Sequence, residues 1–447
     1  MKDKKKLSFK KALAIFTPIM AVMLALCIAI PVVAVSSFDL VLRDFFGEKE
    51  VERQGSVDGL DVKYDKSDYK TKEELDAAEK EFVRSAAGEG YVLLMNDTSG
   101  GKGLPLKTSA TAKTKVSLFS HSSVAIIAGG TGSGVGASSV DLKQAFEAQN
   151  YEVNSTLWNF YSTGAGKTYV RGAGAINYGG SEDWSINEAP LSVLNSNGVL
   201  DSAKNTTAFF VLSRTGGEGR DLGRYMGKYT SVEEDKAKHY LEPDSVELGV
   251  IKYLNENFDN VILLVNTNNI PELGWVKNYA NIKSVLWCPG GGGETANSIV
   301  DVISGKVNPS GRLVDTIAYD AFSSPAMVNM GDFRYTVNGQ PVDYYGISYD
   351  EGIYVGYKYY ETRYYDYVYG AGKASSQKGS STTSSGWKYE TEVQYPFGYG
   401  LSYTSFEWSA FNMSDVDANG QITVNVTVKN TGNVAGKEVV QVYVKAP

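Results

Sequence analysis

Short apolar runs alternate with segments of helical spacing through the middle of the chain. The apolar runs lie at residues 91–97, 116–119, 124–127, 209–212, 261–266 and 282–287, and each predicts a short strand. Helical spacing predicts helices over residues 71–87, 141–149, 244–257 and 294–304. Strands that alternate with helices build parallel sheets covered on both faces. The pattern therefore predicts an α/β fold, a mostly parallel sheet sandwiched by helices.

The pattern changes after residue 322. Eleven tyrosines crowd residues 344–369, and a serine-rich low-complexity loop follows them. Strict alternation then predicts strands over residues 422–428 and 438–444, joined by a turn at residues 430–433. Such strands open an antiparallel β-sandwich, which takes about 100 residues. We therefore expect residues 406–447 to form an incomplete β-sandwich.

The first eleven residues include six lysines, and an almost wholly apolar, uncharged run extends from Ala12 to Val35. A spanning helix needs about 20 residues, whereas the apolar part of a cleaved signal usually has about 7–15. We therefore expect a transmembrane helix with the lysines on the cytoplasmic side. This predicts a single-pass protein of the cell membrane with its main domains extracellular. A cleaved signal is the alternative.

Composition excludes several function classes. The chain has 447 residues, is ordinary for a globular protein and carries a net charge of -8, so it lacks the clustered basic charge of a general nucleic-acid binder. Its two cysteines, Cys27 and Cys288, allow neither a disulfide framework nor a cysteine-based metal site. Its two histidines, His121 and His239, are too few for a zinc site that depends on them. We expect no cofactor, no metal and no nucleic-acid partner.

Two glutamates follow predicted strands in glycine-rich loops. Glu218 lies between Gly217 and Gly219 shortly after the strand at residues 209–212, and Glu294 follows the strand at residues 282–287. The carboxyl ends of parallel strands meet at one sheet edge, where ligands bind. Because hydrolysis of a glycosidic bond uses two carboxyl groups, this edge is a candidate sugar site. Simpler interpretations are an exposed turn for Glu218 and stabilisation of a helix N-terminus for Glu294.

Another glycine-rich run occupies residues 129–136. It lacks the Lys-Ser or Lys-Thr that ends a phosphate loop, and no clear acidic residue follows at the tip of the next predicted strand. We therefore favour a glycine-rich turn or a sugar-contacting loop over a nucleotide site.

Four motifs stand out between residues 216 and 403. They are GGEGRD at residues 216–221, NPSGRL at 308–313, YDEGIYVGYKYY at 349–360 and YPFGYGLSY at 395–403. They follow the order of glycoside hydrolase family 3. Over residues 75–447 the chain resembles the α/β-sandwich domain of that family and the start of its fibronectin type III-like domain. One departure is that Gly293-Glu294-Thr295 replaces the usual Gln-Glu-Gly.

The resemblance implies a retaining mechanism in which a (β/α)8 barrel supplies an aspartate nucleophile and Glu218 is the acid/base. We expect Arg220 and Asp221, in the same loop, to bind substrate hydroxyls or to orient Glu218, with surface roles as the alternative, and Glu294 at the same sheet edge to bind substrate. Only residues 36–70 separate the predicted membrane segment from the first matching helix, whereas a barrel needs about 250 residues. We therefore expect a swapped domain order, with the missing barrel C-terminal to this chain.

The sequence thus predicts part of an exo-acting, β-glucosidase-like hydrolase of O-glycosyl bonds, which supplies the acid/base glutamate and is inactive or incomplete alone. Its expected partners are an oligosaccharide or glycoside and, through the N-terminal helix, a membrane. The alternative is a non-catalytic cell-surface carbohydrate-binding protein. The predicted divisions are a basic stub and transmembrane anchor (1–36), a linker (37–70), the α/β sandwich (71–322), a tyrosine-rich extension packing on it (323–405) and an incomplete fibronectin type III-like β-sandwich (406–447).

Overall fold

The computed structural model divides the chain into two compact units, Met1–Lys70 and Thr71–Pro447. It describes residues 9–45, 67–130, 137–175, 182–216, 222–329, 334–346, 349, 351–369 and 389–444.

In the first unit, helix α1 runs from Phe9 to Phe45. Its segment Phe9–Val32 has a mean hydropathy of 2.6, and 24 residues are enough to cross a membrane. A signal sequence near the N-terminus can meet the same criteria, so this helix is an apolar N-terminal segment of either kind.

The second unit contains the remaining described helices and strands. The helices are α2 (Lys72–Gly90), α3 (Leu142–Ala148), α4 (Ser155–Ser162), α5 (Leu191–Ser196), α6 (Val199–Ser202), α7 (Ser245–Asn257), α8 (Thr295–Ser304), α9 (Pro325–Asn329), α10 (Tyr357–Tyr369) and α11 (Tyr389–Glu392). The strands of the main sheet are β1 (Val92–Asn96), β2 (Lys115–Phe119), β3 (Glu152–Val153), β6 (Thr207–Arg214), β7 (Val261–Thr267) and β8 (Ile282–Trp287). The other strands pair as β4 (Gly174–Ala175) with β5 (Glu182–Asp183), β9 (Ile317–Ala318) with β12 (Val393–Tyr395), β10 (Arg334–Val337) with β11 (Gln340–Tyr345) and β13 (Phe406–Met413) with β14 (Val424–Asn430).

The main sheet has the strand order β1-β8-β7-β6-β2-β3. Strands β8, β7, β6, β2 and β3 are parallel to their neighbours, and only β1 is antiparallel to β8. The chain leaves β2 toward β3 but leaves β6 toward β7, so successive connections run in opposite directions on either side of the β2–β6 pair. Open α/β sheets bind ligands outside the carboxyl ends of the strands at such a switch point.

Helices cover both faces of the sheet, as the alternating side chains of β6 show. Phe209 and Val211 pack in a buried cluster with residues of α3 and α8, whereas Phe210 and Leu212 pack in another with residues of α4 and α7. All four of these β6 side chains are buried. Burial of each contributes about 1.5–3 kcal/mol, so the two apolar layers fix the position of the strand. The mostly parallel, helix-covered sheet predicted from the sequence is confirmed.

Two predicted strands are wrong. Residues 124–127 form no ladder, because the Asn266 side chain takes both backbone groups of Ile127: Oδ1 accepts from its N–H at 2.6 Å and Nδ2 donates to its carbonyl at 3.0 Å. Residues 438–444 alternate as a strand would, yet the described chain offers them no ladder partner.

The C-terminal part of the second unit contacts β9 and β1 through hydrogen bonds to their backbone groups. Val393 of β12 pairs with Ala318 of β9, and the Leu401 N–H donates to the Leu93 carbonyl at 2.8 Å. The Tyr399 hydroxyl donates to the Leu94 carbonyl at 3.1 Å. The domain boundaries proposed above, and the fibronectin type III-like character of residues 406–447, stay predictions.

Candidate active site

The base of the candidate acid/base loop is a buried arginine at the end of β6. Arg214 uses every N–H of its guanidinium. Nε donates to the Tyr240 carbonyl at 2.6 Å, and Nη1 and Nη2 donate to the carbonyls of Ser213 and Glu242 at 2.9 and 2.6 Å. The remaining two N–H groups bind the Glu247 carboxylate at 2.9 and 2.7 Å. Burial alone would lower the pKa of Arg214, but the Glu247 charge raises it, so the guanidinium stays charged.

Glu247 reaches Arg214 because of how α7 begins. Asp244 accepts from the Glu247 N–H at 2.7 Å, and the Glu247 carboxylate accepts from the Asp244 N–H at 3.1 Å, which together form a capping box. The capping box thus holds the carboxylate at the start of α7, where it meets the guanidinium of β6.

The next two residues are fixed against neighbouring loops. The Thr215 N–H donates to the Tyr240 hydroxyl at 2.7 Å, and the Thr215 hydroxyl donates to the Gly172 carbonyl at 3.1 Å. The Asn269 amide donates to the Thr215 carbonyl at 3.1 Å. A Cβ built on Gly216 would lie 2.5 Å from the Asn269 side chain, so the close approach of these two loops requires glycine here.

Glu218, Arg220 and Asp221 lie outside the described residues. The structure does describe both ends of their loop. Gly216 is held at the carboxyl end of β6 as above, and Leu222 packs against the cluster formed by Trp184, Ile186, Met226, Tyr240 and Leu241. Gly216, the described residue before this segment, therefore lies at the switch point between β2 and β6.

A buried asparagine joins the ends of neighbouring strands at this edge. Besides its two bonds to Ile127, the Asn266 amide donates to the Cys288 carbonyl at 2.9 Å, and its Oδ1 accepts from the Ser213 hydroxyl at 3.4 Å. One side chain at the end of β7 thus links the segments that follow β2 and β8 to the end of β6.

Glu294 lies at the carboxyl end of β8, directly before α8, and is buried. Its Oε1 accepts from the Ser139 hydroxyl at 2.9 Å and its Oε2 from the Asn297 amide at 2.7 Å. β7 separates β8 from β6, so the two junctions are about two strand spacings, roughly 10 Å, apart across the sheet. The sheet places Glu294 at the same edge as the loop of residues 216–222, and both of its oxygens have protein partners.

A cavity of about 270 Å³ lies beside the exit of the loop, lined among others by Glu188, Met226, Tyr229 and His239. Burial raises the pKa of Glu188 to about 8, so this carboxyl group is largely protonated at neutral pH. The Leu241 N–H donates to His239 Nδ1 at 3.1 Å, so Nε2 carries the proton of the neutral ring and donates to Glu272 at 2.9 Å.

The residues that hold the loop in place do not stand out in the sequence pattern. Arg214 follows an apolar strand and looks like an exposed residue at its end. Its partner Glu247 could have been suspected from the Asp-x-x-Glu spacing of a capping box at residues 244–247. The role of Asn266 had no local signal, because its partners Ile127 and Cys288 are distant in sequence.

The fold defines a class: α/β-sandwich domains built on a mostly parallel sheet with helices on both faces. Residues 91–357 match the model of the glycosyl hydrolase family 3 C-terminal domain, and the chain belongs to that family.

Known relatives agree with this assignment. The chain is 30% identical over 376 residues to a β-glucosidase of Ruminococcus albus, covering 82% of the chain and 32% of the relative. It is 30% identical over 410 residues to β-glucosidase A of Butyrivibrio fibrisolvens, covering 84% of the chain and 43% of the relative. The structure of β-glucosidase 3B from Thermotoga neapolitana in complex with glucose superposes with a TM-score of 0.57 at 25% identity, covering 80% of this chain and 43% of that one. The chain thus spans less than half the length of these proteins.

Proposed function

We propose that the chain supplies the acid/base half of a retaining, exo-acting, β-glucosidase-like hydrolase. The observation that carries the proposal is the anchored loop of residues 216–222. Its first residue, Gly216, follows the segment held by the Arg214–Glu247 pair and by Asn269, at the switch point where such sheets bind ligands. The match to the family and to two β-glucosidases supports the choice of chemistry.

In this mechanism Glu218 first protonates the oxygen of the leaving group and then deprotonates the water that hydrolyses the glycosyl-enzyme. The aspartate that attacks the sugar comes from a (β/α)8 barrel, which we propose to follow this chain in a swapped domain order. Alone, the chain binds sugar weakly and turns over little or nothing, because no covalent intermediate forms without the nucleophile.

We assign Arg220 and Asp221 to contacts with the sugar hydroxyls or to the orientation of Glu218 within the same loop. Glu294 is proposed as a further contact at the same sheet edge. Its bonds to Ser139 and Asn297 support a second task, which is to hold the segment of Ser139 against the start of α8.

The test uses the complete gene product and 4-nitrophenyl β-D-glucopyranoside. Glu218→Gln should lower kcat by about 10²–10⁴, the usual contribution of a general acid/base, because hydrolysis of the glycosyl-enzyme loses its general base. Added azide should restore turnover and yield glucosyl azide, because azide attacks the glycosyl-enzyme without a general base. Glu256→Gln, which changes a half-exposed glutamate on α7, is the matched control. Equal activity of the two variants would contradict the proposal, and sugar binding without any hydrolysis would favour the carbohydrate-binding alternative.

We also propose that α1 anchors the protein in the cell membrane, with the lysines at the N-terminus in the cytoplasm and the second unit outside. The length and hydropathy of Phe9–Val32 support this. Protease added to intact cells should remove the second unit and leave α1 in the membrane fraction. Release of the second unit into the medium without protease would indicate a cleaved signal instead.

A further inference from the structure

Arg171 is a half-buried cation at the switch point with little to neutralise it. Its backbone neighbour Gly172 is held on both sides, since the Gly172 N–H donates to the Ser185 carbonyl at 2.7 Å and its carbonyl accepts from Thr215. Among the residues that the structure describes, the guanidinium makes one hydrogen bond, from Nη1 to the Ser122 hydroxyl at 3.1 Å. Within the described parts of the chain, no carboxylate binds it.

The location of Arg171 is that of a ligand site. Ser122 follows the end of β2 and Thr215 follows the end of β6, so Arg171 lies between the two strands whose connections diverge. Ligands bind in this crevice in open α/β sheets. The loop that carries Glu218 starts from the same place, one residue after Thr215.

Two buried nitrogen atoms in the same region have no hydrogen-bond partner in the described structure. They are Nδ1 of His121, the residue before Ser122, and Nε1 of Trp184, whose ring packs over Gly174. Buried polar nitrogens are nearly always paired, so these two indicate a place where a polar group is accommodated.

The charges around Arg171 limit the kind of ligand. Arg214 is already neutralised by Glu247. Burial, and then the charge of Arg171, lower the pKa of His121, so this imidazole is neutral at pH 7. Among the described residues one positive charge is therefore left over, which matches a singly charged anion better than a phosphate group with about −1.5 to −2. A carboxylate also fits the planar fork of a guanidinium with two parallel hydrogen bonds.

We propose that Arg171, together with Ser122 and His121, binds the carboxylate of an acidic sugar residue, so that the saccharide taken by this site carries a uronic-acid-type group. The saccharide part of this inference rests on the proposed function, whereas the carboxylate part rests on the geometry at Arg171.

The experiment measures binding to the full chain in mild detergent by isothermal titration calorimetry, with D-glucuronate, D-glucose and acetate as probes. Arg171→Gln should weaken glucuronate binding at least about tenfold, the effect of losing a charged hydrogen-bonded partner, and leave glucose binding unchanged. Arg171→Lys, which keeps the charge and much of the packing, should weaken it less. Lys167→Gln removes the same charge from an exposed position nearby and should change neither ligand.

Several binding results would contradict the inference or a part of it. Equal affinity for glucuronate and glucose, or a glucuronate affinity that Arg171→Gln and Arg171→Lys both leave unchanged, would overturn the inference. Acetate binding as tight as that of glucuronate would overturn its saccharide part. If Arg171→Gln does not fold, the comparison of Arg171→Lys with Lys167→Gln decides.

Failure of the proposed function gives a different pattern. If glucuronate binds through Arg171 but the complete gene product hydrolyses no glycoside, the proposed function fails and the carboxylate site stands. If the gene product hydrolyses a neutral aryl glucoside and glucuronate has no advantage, only the present inference fails.

Discussion

Glu188 offers a quantitative test of the packing beside the loop. Its carboxyl group is buried, and Oε1 accepts from the Tyr161 hydroxyl at 3.3 Å and from the Ala189 N–H at 2.9 Å. Burial raises its pKa from 4.5 to about 8. Substitution by glutamine keeps the shape and neutrality of the protonated group but cannot ionise.

The pKa sets the size and sign of the effect. Between pH 4.5 and 8 the folded protein keeps the Glu188 proton while the unfolded chain releases it, so the free energy of unfolding falls as pH rises through this window. Below pH 4.5 nothing is lost. Each pH unit is worth about 1.4 kcal/mol, so by pH 7 the loss is on the order of 3 kcal/mol. Glu188→Gln should not show this loss of unfolding free energy, because glutamine does not ionise.

The assay is urea unfolding of the full chain in mild detergent at pH values from 4.5 to 8.5, followed by near-UV circular dichroism. The free-energy difference between Glu188→Gln and the parent should be near zero at pH 4.5 and should grow to about 3 kcal/mol at pH 7 in favour of the variant. Asp244, whose pKa burial raises to about 7, titrates in both proteins, and its charge is one of the smaller causes of the raised Glu188 pKa. A difference that stays constant with pH, as expected for Glu256→Gln, would refute the reasoning.

Three further changes probe the scaffold. Glu247→Gln leaves the buried Arg214 charge without its carboxylate, so it should lower the free energy of unfolding, measured by urea titration, by about 3 kcal/mol. A loss below about 1 kcal/mol would mean that the pair is not the anchor of the loop. Gly216→Ala should displace the Asn269 side-chain amide and lower the free energy of unfolding by about 1 kcal/mol. Gly249→Ala, on an open helix surface, should raise it by about 1 kcal/mol. The same sign for both variants would contradict the close approach at Gly216. Burial raises the pKa of Cys288, so iodoacetamide at pH 8 should label it only after unfolding, and labelling of the folded chain detected by mass spectrometry would show that this strand end is open.

The apolar pattern was sufficient to predict the central layer of the fold. Strands β6, β7 and β8 are continuous buried runs because both faces of the sheet are covered, and their periodicity needs no knowledge of distant contacts. The start of α7 was equally predictable, since Asp244 caps it through local hydrogen bonds.

The failures come from contacts between distant residues. Residues 124–127 have the composition of a strand, but Asn266 occupies the backbone groups of Ile127, and no local pattern announces that. The anchor of the loop is likewise a pair of residues that are distant in sequence, Arg214 and Glu247. The carbonyls of Tyr240 and Glu242, which lie between them in the chain, also accept hydrogen bonds from the guanidinium. Motif similarity could locate the loop, whereas only the packed structure reveals what fixes its ends.

The most direct test of the account is the dependence of activity on the leaving group. In the complete gene product, the activity of Glu218→Gln should be compared with that of the parent on two substrates. The alkoxide of methyl β-D-glucoside leaves poorly, whereas the phenolate of 2,4-dinitrophenyl β-D-glucoside needs no proton. If Glu218 is the proton donor, the first step should slow by about 10²–10⁴ with the methyl glucoside and hardly at all with the dinitrophenyl glucoside, measured as the pre-steady-state release of dinitrophenolate. An equal loss with both substrates would contradict proton donation by this glutamate.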